Sequence, residues 1–123
     1  MLGSAKVMTF AATKDAARAR EFYENVLGLR FVEDTPFALV FDAGGRMLRV
    51  QKVQTFTPQP FTVLGWEVAD IRATIEALQD KGVTCERYPW FEQDDAGVWA
   101  APGGSLVVWF KDPDGNLLSL TQF

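Results

Sequence analysis

The sequence predicts an α+β fold made of two β-α-β-β-β modules, and three observations lead to it. A weak internal repeat divides the 123 residues into two halves with one plan. Each half carries a single amphipathic helical stripe placed behind an aspartate. After each stripe come short β-rich runs separated by residues that favour turns.

In the first half, Lys6-Val7-Met8-Thr9-Phe10-Ala11 reads as a strand leading to Asp15. Ala19, Phe22, Tyr23, Val26 and Leu27 then recur at the spacing of one helix face. Gly28 stands where a left-handed residue ends a helix. The runs Arg30 to Glu33, Phe37 to Phe41 and Met47 to Val53 complete a module spanning residues 1–54. In the second half, Phe61 to Val68 leads to Asp70, then to Ile71, Ile75 and Leu78 at helical spacing, then to Gly82. Thr84 to Tyr88, Leu106 to Phe110 and Leu117 to Phe123 complete a module spanning 61–123. Asp15 and Asp70 suit N-caps, where a carboxylate accepts orphan backbone N–H groups and favours the helix dipole.

Thr55 to Pro60, with Pro58 and Pro60, is the natural linker, because proline cannot donate to a sheet ladder. Pro89 to Gly104 reads as an irregular stretch carrying Trp90, Phe91 and Trp99; buried aromatics would have to anchor it, and a pocket-covering loop is expected. The Asp112-Pro113-Asp114-Gly115-Asn116 segment has Asp-x-Asp-Gly spacing, but it lacks the later bidentate glutamate and flanking helices of a calcium loop and is expected to be a turn.

With 48% hydrophobic and 23% charged residues, the balance is that of a globular protein able to bury a core. Ten Phe and four Trp exceed what such a core needs and raise the expectation of an aromatic-lined pocket or an apolar subunit interface. A net charge of -4 argues against a surface that tracks nucleic-acid phosphates. No apolar run reaches the roughly 18 residues of a membrane span. A single Cys85, with no charged segment followed by an apolar one at the start, leads to the expectation of a cytoplasmic protein.

The segments Phe22-Tyr23-Glu24-Asn25-Val26-Leu27-Gly28-Leu29, Glu67-Val68-Ala69-Asp70-Ile71 and Phe110-Lys111-Asp112-Pro113-Asp114-Gly115-Asn116, in this order, resemble the vicinal-oxygen-chelate superfamily. That group includes glyoxalase I, extradiol dioxygenases and the fosfomycin and bleomycin resistance proteins. The resemblance implies a curved mixed sheet with the helices on its outer face, and a divalent metal held by four residues, two from each module. It assigns the ligand positions to Met8, to Arg49 or Gln51, to Leu64 and to Ser119. A thioether, a guanidinium, an alkyl group and a neutral hydroxyl are poor ligands for such an ion, and the chain contains no His. No metal or cofactor is therefore expected, and the missing His also removes His-dependent nucleophilic devices.

Met8, Phe10, Arg49, Gln51, Leu64, Trp66, Ser119 and Thr121 are expected to share the concave face, with Trp90 and Trp99 closing over it. Such a lining suits a small organic ligand: Trp66 and Phe10 stack on a planar body, and Arg49 pairs with an anionic group. The resemblance to resistance members points to metal-free binding or sequestration of an aromatic or drug-like molecule by a homodimer, with grooves between modules and an acidic balance that favours cationic drugs. Two alternatives stand beside it. One is a metal-independent lyase or isomerase using Arg49 as an electrophile and Glu67 or Tyr88 as acid or base. The other is a structural or regulatory module in which Met8, Phe10, Leu64 and Trp66 fill the former metal site.

Overall fold

The computed structural model describes residues 1–123 and divides them into two compact units, Met1–Pro58 and Gln59–Phe123. Each unit holds a mixed four-stranded sheet of the same topology. In the first, strands β1 (Thr9–Thr13), β2 (Arg30–Asp34), β3 (Ala38–Ala43) and β4 (Arg46–Lys52) are ordered β1-β4-β3-β2. β1 runs parallel to β4, and the other pairings are antiparallel. In the second, β5 (Leu64–Glu67), β6 (Trp99–Ala100), β7 (Leu106–Lys111) and β8 (Leu117–Gln122) are ordered β5-β8-β7-β6, with β5 parallel to β8.

Each module has one helical segment, opened as its aspartate predicts. Helix α1 (Ala16–Arg20) begins where the Asp15 carboxylate accepts the Arg18 backbone N–H at 3.1 Å. Helix α2 (Ile71–Asp80) begins where Asp70 accepts the Ala73 N–H at 3.1 Å. After α1 the backbone widens into a π-helical stretch, Glu21–Val26, in which the Leu27 N–H reaches back to the Phe22 carbonyl. The stretch buries adjacent Phe22 and Tyr23 together. Gly28 and Gly82 follow with positive φ of 76° and 87°, the left-handed exit that glycine adopts without a Cβ penalty.

The apolar stripes face the sheets. In the first module Tyr23, Phe31 and Phe41 meet edge-on or tilted, with Leu39, Leu48 and Val50 fully buried around them. In the second, Ile71, Ile75 and Leu78 are buried, as are Val108, Phe110, Leu118 and Leu120. Alternation then leaves one open face per sheet.

One expected strand is absent. Thr84 to Tyr88 stays outside the sheet: only the Glu86 N–H reaches it, at the Trp109 carbonyl, and the Tyr88 N–H is taken by the Gln93 side chain. Trp99–Ala100, inside the stretch expected to be irregular, supplies the outer strand instead.

Candidate functional site

Strand register decides which expected site residues share a face. In the first module Phe10 pairs with Arg49, and Arg49 with Val40; Ala12 pairs with Gln51, and Gln51 with Ala38. Phe10, Arg49 and Gln51 therefore lie on the open face, opposite Ala11, Leu48 and Val50. Met8 and Phe10 are 45% and 47% exposed, so they do not fill a core. At one end of this face is a cavity of about 430 Å³, walled by Val7, Met8, Val32, Val40 and Met47 and edged by Arg30, Asp42 and Arg46. Arg30 Nε lies 3.7 Å from Asp42 Oδ2.

The second module corrects two expectations. Leu64 pairs with Leu118 and Trp66 with Leu120, so both sit on the buried face, where Trp66 stacks on Phe110 at 6.5 Å. They do not share a face with Ser119 and Thr121. The open face carries Gly65 beside Ser119 and Glu67 beside Thr121. The reading in which four apolar residues close the former metal site thus divides: Leu64 and Trp66 close a core, whereas Met8 and Phe10 do not.

The two N-caps explain the displacement. Both aspartates hold the same position relative to their helices, so offsets counted back from them are equivalent. Met8 lies seven residues before Asp15, and seven before Asp70 is Val63, exposed and not Leu64. In the same way Phe10 corresponds to Gly65. Their parallel partners are Arg49 and Ser119, so Arg49, not Gln51, is the counterpart of Ser119.

Trp90 and Trp99 belong to an aromatic group on the second module. Phe91 stacks on Trp109 at 5.0 Å with planes 9° apart, and contacts Trp99 at 4.5 Å. Trp90 stacks on Tyr88 at 5.1 Å but stays exposed. The loop is fixed by Gln93, whose side chain accepts the Tyr88 N–H at 2.7 Å and donates to the Glu86 and Gly97 carbonyls at 2.9 and 2.8 Å. Burial first, then the neighbouring Glu86, pushes the Tyr88 hydroxyl above its ordinary range, with Lys111 opposing. Trp109, absent from the sequence expectations, is legible by parity alone: it is two residues from Val107, which pairs with Trp99.

The family described as Glyoxalase/Bleomycin resistance protein/Dioxygenase superfamily matches residues 6–120. The chain belongs to that superfamily. It is 28% identical over 121 residues to the YraH protein of Bacillus subtilis (strain 168), covering 86% of this chain and 88% of that one. Among solved structures, a superfamily member from Sphaerobacter thermophilus matches with a TM-score of 0.78 at 22% identity, covering both chains fully. A lactoylglutathione lyase from Agrobacterium tumefaciens matches at 0.75 and 20%, covering 98% of this chain and 95% of that one. The fosfomycin resistance protein FosX of Listeria monocytogenes matches at 0.73 and 13%, covering 98% and 93%. At these identities the structural likeness establishes the fold, and function must come from the site.

The ligand positions that the resemblance assigns fall, once strand register is allowed for, on Met8 and Arg49 in the first module and on Val63 and Ser119 in the second. A thioether, a cation, an alkyl group and a hydroxyl do not make a donor set for a divalent ion that prefers imidazole and carboxylate. No group of three or more His, Cys, Asp or Glu side chains stands elsewhere in the chain to replace it. No helix is long and apolar enough to cross a membrane.

Proposed function

We propose that this protein binds and sequesters a small organic molecule with an apolar or aromatic body, and that it does so without a metal, in the cytoplasm, as a homodimer. The observation that carries the reading is the cavity of about 430 Å³ on the open face of the first sheet, within the range of small-molecule sites. Val7, Met8, Val32 and Met47 among its apolar walls are accessible side chains, so a ligand displaces water from them without unfolding anything. The second module by itself carries a separate flat apolar surface, where Phe91, Trp99 and Trp109 stack on its open face. Exposed Phe37, Phe61 and Trp90 support an apolar interface between copies, and the single free Cys85 supports a reducing compartment.

A native mass spectrum of the purified protein tests this. A metal-free dimer that retains or takes up one small organic molecule per chain is expected. A stoichiometric divalent ion, or a monomer that takes up no such molecule, overturns it.

One observation favours a second reading, a metal-independent lyase or isomerase. The Glu67 carboxylate stands on the open face of the second sheet beside Ser119 and Thr121, with no cation within ion-pair distance. Such a carboxylate can take a proton from a bound carbon or oxygen acid. Turnover of a bound ligand that Glu67→Gln abolishes without weakening binding would select this reading.

A further inference from the structure

The charge around the first module's cavity runs against that of the whole chain. Lys6, Arg30 and Arg46 border it, facing one carboxylate, Asp42, in a protein of net charge -4. That carboxylate is already engaged: Oδ2 lies 3.7 Å from Arg30, and Oδ1 accepts the Gly45 backbone N–H at 3.1 Å. Lys6 and Arg46 have no carboxylate of this chain within ion-pair distance, and neither does Arg49, two residues beyond Met47 on the same strand face. Cations left without an internal partner around apolar walls form a site for an anion with an apolar body. Guanidinium groups match oxyanions in two-pronged geometry, and burying the body lowers the local dielectric and strengthens the attraction.

We propose that the ligand of this cavity is an anionic amphiphile: a small molecule whose apolar or aromatic body seats on Met8, Val32 and Met47 while a carboxylate, sulfonate or phosphonate meets Arg46, in the field of Lys6 and Arg49. This inverts the preference for cationic ligands that the overall acidity suggests. The inference rests on the binding reading above and names its ligand class.

Two dyes that share one aromatic body separate the two claims. 8-Anilino-1-naphthalenesulfonate carries the anion, and N-phenyl-1-naphthylamine lacks it. Both are titrated by fluorescence into the wild-type protein and into a Lys6→Glu/Arg46→Glu double variant whose melting curve is checked alongside. The wild type is expected to bind the sulfonate at least tenfold more tightly than the amine. The double variant should lose that preference, its affinity for the sulfonate falling at least tenfold further than its affinity for the amine. Raising salt from low to near-molar concentration should weaken the sulfonate alone in the wild type, a check that needs no variant. Equal affinities in the wild type, or a sulfonate preference that survives both charge reversals and high salt, overturn the anionic ligand and leave the small-molecule reading standing. If neither dye binds the wild type, both fall.

Discussion

Gly65 and Ser119 face each other across the parallel pair of β5 and β8 so closely that a Cβ on Gly65 would lie 2.7 Å from Ser119 Oγ. Gly65 does not occupy the left-handed region, so what a side chain there meets is the rotatable Ser119 hydroxyl, with the Ser119 carbonyl at 3.4 Å, and not a backbone-angle penalty. Gly65→Ala is expected to cost about 1 kcal/mol, the low end of the overpacking range, because the Ser119 hydroxyl can rotate aside. Ser119→Ala in the same chain should recover part of it, because the clashing atom is removed. Chemical denaturation of the two single variants and the double variant measures the coupling, and strictly additive losses would refute the contact.

The Gln93 amide ties three backbone groups of the loop to itself. Gln93→Glu keeps the acceptor for the Tyr88 N–H but places a carboxylate oxygen against the Glu86 and Gly97 carbonyls. A loss of about 1–3 kcal/mol is expected, with faster amide exchange at Tyr88 and Val98 and little change in the first module. Exchange that rises equally in both modules would show a general loss of stability instead.

Asp94 gives the second module a pH dependence. Burial opposes its ionisation, but the Arg72 side chain and the Val98 and Ala96 N–H groups outweigh that and hold its carboxyl below the ordinary value near 3.8. The Arg72 contact is 2.7 Å between well-exposed side chains, so its contribution is modest. A depressed folded-state pKa means that the stabilisation is complete above the unfolded-state carboxylate range and is lost as pH falls through the folded value. The stability gap between wild type and Asp94→Asn should therefore be constant from about pH 5 to 7 and shrink below about pH 4. A gap unchanged down to about pH 2 would remove Asp94 from the acid limb.

Tryptophans on opposite faces of the second sheet should report differently. Trp109 is on the open face against Phe91, whereas Trp66 is on the buried face against Phe110. If the second module's open face takes part in binding, ligand quenches the fluorescence of Trp66→Phe as in the wild type, and Trp109→Phe shows a smaller change, the remainder coming from Trp99 and Trp90. The reverse pattern would move binding away from that face.

The helices were legible because each is announced three times over: an aspartate that can cap, an apolar stripe at helical spacing, and a glycine at the exit. Strand faces were harder to read, because parity tolerates no slip. Placing the third ligand position at Leu64 instead of Val63 is an error of one residue, and in a strand one residue exchanges the two faces. Trp66 followed Leu64 into the wrong face for that reason. Thr84 to Tyr88 has strand composition, yet its fate is set by Gln93, whose hydrogen bonds are formed by a side chain five or more residues away and leave no local periodicity. The cavity was only half visible: Met8 stood out through the resemblance, while Met47 shares a face with Arg49 two residues on and could have been found by the same alternation.

In both modules the strand made last, β4 or β8, lies between the strand made first and the hairpin partner made just before it. Thr9 must wait for Leu48, and Leu64 for Leu118, before either parallel pair can close. Neither sheet can be assembled by adding strands outward in order of synthesis. High contact order of this kind makes folding slow relative to local helix formation. During synthesis β1 and β5 are exposed edges with no partner until the end of their own module has emerged, which makes those two segments the places where a nascent chain is most open to capture by a chaperone or by another strand.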